Sequence, residues 1–164
     1  MPEMTNDYAS SLKAALARAA ALCDRQETCS AEILAKLAKW GLEPDSARKV
    51  LDKLRELSYV DDRRYARTFA HHKMAYSGWG RYKIANALTL KGIGREITRE
   101  ALESLDMEEY MAVAEKVVRS KVRLLKDGID TYENRLKVMR FATGRGFESS
   151  LVSQVLRDIQ AAEK

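Results

Sequence analysis

The stretch Ile84–Leu102, IANALTLKGIGREITREAL, decides the fold class of this chain. Ile84 and Leu88 lie eight and four residues before Gly92, so both fall on one face of a helix. Gly92 suits the left-handed position just past a helix end, and Ile93 can cover the last turn. The apolar pair Ala101 and Leu102 then ends a second helical pattern. The stretch therefore predicts two short helices joined by a glycine turn.

The same pattern occurs twice more when the sequence is aligned on a glycine. In the same order, the earlier copy consists of Ile33, Leu37, Gly41, Leu42, Val50 and Leu51, and the later copy of Val138, Ala142, Gly146, Phe147, Val155 and Leu156. The aligned glycines are 51 and 54 residues apart. No segment alternates cleanly enough to predict a strand. The periodicity predicts an all-α, elongated chain of tandem three-helix repeats, about three units with the last one truncated.

The repeat also predicts the domain boundaries. Residues 1–29 would hold an N-terminal helix, 30–78 the first three-helix repeat, 79–128 the second, and 129–164 a partial third repeat of two helices. Individual helices are expected at about Tyr8–Leu22, Asp61–Tyr76 and Met107–Leu125. Pro44 fits the first turn of a helix, and Asp106 with Glu109 resembles a capping arrangement.

Composition places the chain among globular, helix-rich proteins. It has 164 residues, of which 46% are hydrophobic and 32% charged, with only two prolines. No run approaches the length of a membrane span, and the N-terminus lacks the pattern of a secretory signal, so a cytoplasmic protein without membrane contact is expected. Cys23 and Cys29 have neither a C-x-x-C nor a zinc spacing and are expected to be reduced, inert thiols.

Positive charge is concentrated in one part of the sequence. Between Arg63 and Arg95, 33 residues carry eight Lys or Arg and no Asp or Glu, whereas the rest of the chain has 21 basic and 24 acidic residues. Arg64, Arg67 and His71 line up on one side of the predicted helix, with no acidic residue there at the spacing that forms ion pairs. Such a field predicts a surface that meets phosphates or an acidic protein.

A second basic cluster follows between Lys116 and Lys126. Within it, Arg119, Arg123 and Lys126 are expected to share a helical face, being four and three residues apart. The candidate residues for contact with a partner or with DNA are Arg63, Arg64, Arg67, His71, Lys73, Arg81, Lys83, Lys91, Arg95, Arg119, Arg123 and Lys126.

The sequence offers no catalytic or metal-binding constellation. Asp61 and Asp62 are adjacent and point about 100° apart on a helix, so capping explains them better than a shared metal ion. The adjacent residues His71 and His72 have no Cys or carboxylate at the spacing that a zinc site requires. Trp79, between Gly78 and Gly80, is expected to pack at the joint between repeats, with presentation to a partner as the alternative. A protein that is not an enzyme and needs no cofactor or metal is predicted.

Three segments resemble the RecX regulatory family. Residues 54–66, LRELSYVDDRRYA, resemble its L-x-x-x-G-Y-L/I-D-D-x-x-[FY]-A signature, with Ser58 in the usual glycine position. Residues 80–93, GRYKIANALTLKGI, resemble its G-x-x-[RK]-I-x-x-x-L-x-x-K-G-I segment. Residues 29–37, CSAEILAKL, are similar to its S-x-x-E-L-x-x-x-L start, with one residue fewer. The resemblance extends over about residues 10–160.

The resemblance implies a protein of tandem three-helix repeats that binds the RecA recombinase filament. It further implies restraint of the ATPase, strand-exchange and co-protease activities of RecA in recombination, DNA repair and the SOS response. A monomer that bridges RecA subunits and can touch DNA phosphate is expected. The charge pattern, and not the family motif, makes Arg64, Arg67, Lys83, Lys91 and Arg95 the candidates for this contact. Two alternatives stay open: a free-standing helical DNA-binding protein, and a helical scaffold for some other protein.

Overall fold

The computed structural model describes residues 2–163, with side chains from Asp7 onward, and over this range the chain forms nine α-helices and no strand. The helices are α1 (Pro2–Arg25), α2 (Ser30–Lys39), α3 (Pro44–Glu56), α4 (Asp62–Ser77), α5 (Arg81–Leu90), α6 (Arg95–Glu103), α7 (Met107–Leu124), α8 (Tyr132–Gly144) and α9 (Ser149–Ala162). The predicted all-α class is therefore confirmed. The N-terminal helix is longer than its apolar pattern indicated, since it begins at Pro2.

The glycines that align the repeat follow helix ends in the left-handed region. Gly41 has φ +94°, Gly92 +79° and Gly146 +99°. After Gly41, the Leu42 N–H donates to the Leu37 carbonyl at 3.1 Å, which closes the last turn of α2. The predicted role of Gly41 and Gly92 as helix-terminating residues is confirmed.

Side-chain caps begin several of the helices. Pro44 occupies the first turn of α3, and the Asp106 carboxylate accepts the Glu109 N–H at 3.0 Å at the start of α7. Asp61 accepts the Arg64 N–H at 3.1 Å and so caps α4. Asp62 instead accepts the Ser30 N–H, at 2.8 Å, and caps the start of α2. Capping explains both aspartates, as predicted, but they serve different helices.

Two compact units make up the chain. The first consists of the residues up to Tyr65 together with Lys91–Gly94. In this unit α1 packs on α2 and α3, and α2 packs on α3. Its core contains Ile33, Leu37 and Leu54, all fully buried. Trp40 lies at its edge with the Arg18 guanidinium 4.0 Å from the ring centroid.

The second unit consists of Ala66–Leu90 and the residues from Arg95 onward. Here α5 packs on α6, and α7, α8 and α9 pack on one another. Its largest fully buried side chains are Tyr110, Phe147, Met74, Ile84, Leu88, Ile129, Val118, Val138 and Val152. The aromatic rings of Tyr110 and Phe147 lie with their centroids 5.5 Å apart. Within the described residues, no helix is long and apolar enough to cross a membrane.

A close backbone crossing joins two turns of the second unit. The Gly80 N–H donates to the Arg145 carbonyl at 2.9 Å, and the Tyr82 N–H donates to the Gly146 carbonyl at 3.0 Å. A Cβ at Gly80 would lie 2.3 Å from the carbonyl carbon of Gly146, and one at Gly146 would lie 2.5 Å from the backbone nitrogen of Lys83. Both positions therefore require glycine, because only a residue without Cβ lets two backbones approach this closely.

The predicted face of Arg119, Arg123 and Lys126 is wrong at its last member. Helix α7 ends at Leu124, because Leu125 adopts an extended conformation with ψ 131°. Asp127 and Gly128 follow with φ +69° and +56°. Lys126 thus lies in the turn after the helix and does not continue its face.

Candidate partner-binding surfaces

Arg64 is held within the first unit. Its guanidinium donates to the Glu27 carboxylate at 2.9 Å, to the Ser58 carbonyl at 3.2 Å and to the Tyr59 carbonyl at 3.4 Å. The hydrogen bond to Glu27 raises the pKa of Arg64 above its usual range. Arg64 therefore links the turn before α4 to the loop between α1 and α2, and its charge is partly neutralised by Glu27.

Lys91 is also part of an ion pair in the first unit. Its ammonium donates to the Glu32 carboxylate at 3.1 Å, and this hydrogen bond raises the pKa of Lys91. The Tyr65 hydroxyl donates to the same carboxylate at 3.5 Å, and burial raises the pKa of Tyr65. The thiol of the fully buried Cys29 donates to the Lys91 carbonyl at 3.6 Å. This polar network ties Lys91–Gly94 to α2.

Arg81 lies in a network in the second unit. The guanidinium contacts the Glu148 carboxylate at 3.2 Å and lies 4.3 Å from the Tyr110 ring centroid. The Tyr110 hydroxyl donates to Glu148 and accepts the Arg81 N–H at 3.0 Å. Burial, followed by the hydrogen bond to Glu148, raises the pKa of Tyr110 well above its usual range. Arg81 therefore contributes to packing within the second unit as well as to the positive charge of its surface.

The absence of Asp and Glu between Arg63 and Arg95 suggested that Arg81 and Lys91 lack a counter-charge, and this expectation is wrong. Both find carboxylates far away in sequence, at Glu148 and Glu32. His71 on α4 also approaches a distant carboxylate, that of Glu109 on α7, with 3.3 Å between its Nε2 and the carboxylate. Arg119 donates to Glu115 at 2.8 Å, one turn earlier on α7.

A half-buried tryptophan in the second unit gathers two lysines. The Lys73 ammonium lies 4.8 Å from the Trp79 ring centroid, and the Lys83 ammonium lies 4.6 Å from it. Phe69 meets the same indole edge-to-face, with centroids 6.4 Å apart. We call Phe69, Lys73, Trp79 and Lys83 the Trp79 cluster. Over the described chain, neither lysine has a carboxylate within ion-pair distance.

Two further cations of the second unit lie around Phe141. Lys121 and Arg145 lie 5.3 Å and 5.4 Å from the Phe141 ring centroid. Arg145 also donates to the Ser77 carbonyl at 3.3 Å, while its own carbonyl accepts the Gly80 N–H. The glycine crossing thus brings Arg145 to the turn that carries Trp79. The four cations Lys73, Lys83, Lys121 and Arg145 make the second unit the stronger candidate for anion binding.

The other predicted residues lie on exposed helix positions and turns. Arg63 is in the first unit, and Arg67, Arg95, Arg123 and Lys126 are in the second. Arg67 lies one turn before His71 on α4, as predicted from the helical period.

Sequence reasoning missed Arg145 as a member of the basic surface. Its position beside Gly146 carried a signal, because the glycine alignment marked this turn as equivalent to those at Gly41 and Gly92. That signal concerned the backbone, and the aromatic neighbour Phe141 is visible only in the folded structure. No group of three or more His, Cys, Asp or Glu side chains is arranged to hold a metal ion in the part of the chain that the structure describes.

Comparison with known proteins assigns two stretches to family models. Residues 61–102 match the model described as RecX, second three-helix domain, and residues 108–156 match RecX, third three-helix domain. The first stretch contains α4, α5 and all but the last residue of α6. The second contains α7 without its first residue, α8 and most of α9. Together the two models cover more than half of the 164 residues.

Curated relatives and solved structures agree with these models. The regulatory protein RecX of Mycobacterium ulcerans is 30% identical over 151 residues, covering 90% of this chain and 87% of the relative. That of Clostridium botulinum is 31% identical over 124 residues, covering 75% of this chain and 58% of the relative. The chain thus spans less than two thirds of the clostridial relative's length.

Among solved structures, RecX from Lactobacillus salivarius superposes with a TM-score of 0.85 at 19% identity, covering 93% of this chain and 99% of that one. A second structure of regulatory protein RecX gives a TM-score of 0.83 at 23% identity, over 92% and 74% of the two chains. These two likenesses concern the fold. From the family models and the mycobacterial relative, the chain belongs to the RecX family of regulatory proteins.

Proposed function

We propose that this protein binds the RecA recombinase filament in the bacterial cytoplasm and restrains its ATPase, strand-exchange and co-protease activities. The observation that carries the proposal is family membership, since the matched models and the mycobacterial relative cover most of the chain. The protein would act by occupying a surface of the filament, and such a mechanism needs no catalytic group.

The Trp79 cluster is the contact that we assign to this function. Its indole holds the Lys73 and Lys83 ammonium groups close together, so less side-chain freedom is lost when an anion binds. Each ammonium retains N–H donors that can turn toward a carboxylate or phosphate oxygen. Arg64 and Lys91 are weaker candidates, because Glu27 and Glu32 already accept their hydrogen bonds.

The same cluster supports a second function, direct contact with DNA phosphates. Lysines that lack a carboxylate partner gain most from a polyanion, and binding of this kind weakens steeply with added salt. The two functions differ in what they require. Regulation of the recombinase requires RecA, whereas a free-standing DNA-binding protein would bind DNA tightly without it.

The deciding experiment is ATP hydrolysis by preassembled RecA filaments on single-stranded DNA, titrated with this protein. Binding to the same DNA without RecA is measured in parallel. We expect hydrolysis to fall at concentrations that leave free DNA unbound. Tight DNA binding together with unchanged filament hydrolysis would refute regulation of RecA and favour the DNA-binding function.

The contact surface has its own test. The double substitution Lys73→Gln and Lys83→Gln removes two charges from the Trp79 cluster and should raise the half-inhibitory concentration about tenfold. Its control removes the same charge from the exposed Lys36 and Lys39 of α2 and should leave inhibition unchanged. Equal effects of the two double variants would mean that net charge, and not this cluster, governs the inhibition.

A further inference from the structure

A groove in the second unit has a charge opposite to that of the chain as a whole. It lies between α7 and α9 and has a volume of about 410 Å³. Its apolar lining includes Met107 and Met111 of α7 and Val155 and Ile159 of α9. Each pair is four residues apart on its helix, so the apolar surface is a strip along both helices.

The two sides of this strip differ in exposure. Val155 and Ile159 are buried, at 5% and 3% exposure, and form the floor. Met107 and Met111 are 55% and 38% exposed. The Met107 sulfur accepts a hydrogen bond from Arg81 at 3.3 Å, which holds that side chain at the edge of the groove. Methionine is unbranched and polarisable and can adapt to differently shaped apolar partners.

All charged residues that line the groove are acidic. They are Glu108 and Glu115 of α7 and Asp158 of α9, in a chain whose net charge is +5. Arg119 donates to Glu115 at 2.8 Å, and the Gln154 amide donates to Asp158 at 2.9 Å. Among the described residues, Arg119 is the one cation paired with these three carboxylates, so the rim keeps a negative local field.

We propose that this groove binds a basic amphipathic helix of a partner protein. Two apolar side chains of that helix, one turn apart, would pack on Val155 and Ile159 and beside Met107 and Met111. Its flanking Lys or Arg side chains would contact the acidic rim. An apolar strip between two helices is suited to receive another helix, which presents anchors at the same spacing of four residues. The charge complementarity fixes the partner as basic. This site is separate from the Trp79 cluster and does not depend on the proposed function.

The probe is a synthetic helical peptide of about 14 residues, or roughly four turns, with leucines at i, i+4 and i+7 and lysines elsewhere. Isothermal titration calorimetry with the full chain should show micromolar binding that weakens with added salt. The same peptide with glutamates in place of lysines should not bind. A positively charged chain repels a basic peptide overall, so binding must come from a local acidic site.

Two substitutions test the location of the site. Met111→Lys should weaken peptide binding about tenfold, because it blocks the apolar strip and adds a like charge. Leu124→Lys is the matched control, since Leu124 is on the same helix and 80% exposed, and it should leave the affinity unchanged. Far-UV circular dichroism would confirm that both variants remain helical. Glu108→Lys, which leaves the floor intact, should weaken binding and reduce its salt dependence.

Several outcomes would overturn the proposal. They are no binding of the basic peptide, equal losses in Met111→Lys and Leu124→Lys, or preference for the acidic peptide. Sedimentation that shows self-association of the natural chain, abolished by Met111→Lys, would assign the groove to a second copy instead. None of these measurements contains RecA or DNA, so their failure is distinct from failure of the proposed regulation.

Discussion

Replacing Gly80 with alanine should destabilise the second compact unit severely. The added Cβ would lie 2.3 Å from the Gly146 carbonyl carbon and 2.3 Å from the Phe147 nitrogen. Both are backbone atoms, so no side chain can rotate away to make room. The two backbones must therefore separate by about 1 Å to restore an ordinary contact of about 3.5 Å.

That separation determines the size of the effect. The hydrogen bonds Gly80 N–H to Arg145 carbonyl and Tyr82 N–H to Gly146 carbonyl, now 2.9 Å and 3.0 Å, would stretch beyond hydrogen-bonding range. Each loss costs about 1–3 kcal/mol where the groups are buried, and the displaced packing adds about 1 kcal/mol or more. We expect Gly80→Ala to lower the free energy of unfolding by about 3–5 kcal/mol.

The measurement is urea unfolding followed by tryptophan fluorescence in a Trp40→Phe background. The chain has two tryptophans, so Trp79 then reports on the second unit alone. Gly144→Ala is the control in the same unit, since a Cβ there meets nothing within 4 Å. It should stabilise α8 by about 0.5–1 kcal/mol. A Gly80→Ala protein within about 0.5 kcal/mol of its parent would refute the argument from close approach.

Three further predictions concern the first unit, and one of them uses Arg67 of the second unit as its control. Asp62→Ala should cost about 1–2 kcal/mol of its unfolding free energy, read by Trp40 fluorescence in urea, because the cap on the Ser30 N–H is lost; no loss would show that water replaces the carboxylate. Arg64→Ala should cost about 1 kcal/mol, since its ion pair is partly exposed to solvent, whereas Arg67→Ala should stay within about 0.5 kcal/mol. Burial raises the pKa of the Cys29 thiol above its ordinary 9.0, so the folded state keeps a proton that the unfolded chain releases. The resulting stability is complete below pH 9.0 and is lost as the pH rises through the folded-state pKa, and Cys29→Ala should remove this part of the alkaline decline in urea midpoints; an unchanged decline would exclude the thiol as its source.

The helices and their ends could be predicted because their causes are local. Gly41 and Gly92 each follow an apolar pattern of period four, and left-handed glycine is the cheapest way to end such a helix. Asp106 caps α7 through a residue three positions later, so spacing alone identifies it. The start of α1 at Pro2 was missed, because residues before Tyr8 add few apolar positions to the pattern.

The charged surface was harder to predict, because its partners are distant in sequence. A search for acidic residues one turn away cannot find Glu148 beside Arg81 or Glu32 beside Lys91. For the same reason, the two glycines flanking Trp79 indicated a turn but not the approach of Gly80 to Gly146. The lysines of the Trp79 cluster were candidates by charge, and the indole that positions them between α4 and α5 became evident in the folded unit.

The interleaving of the two units limits how the protein can be made and divided. Lys91–Gly94 belong to the first unit, although the chain on either side of them belongs to the second. This segment supplies the buried side chain of Ile93 and the ammonium of Lys91, which forms an ion pair with Glu32. A fragment that ends at Tyr65 therefore lacks part of the core of the first unit. During synthesis the first unit can close only after the ribosome has added residues 66–90, which are destined for the other unit. No single cut in the chain therefore yields two intact units. We expect the two units to be produced as stable proteins, and to be transferred between proteins, only together.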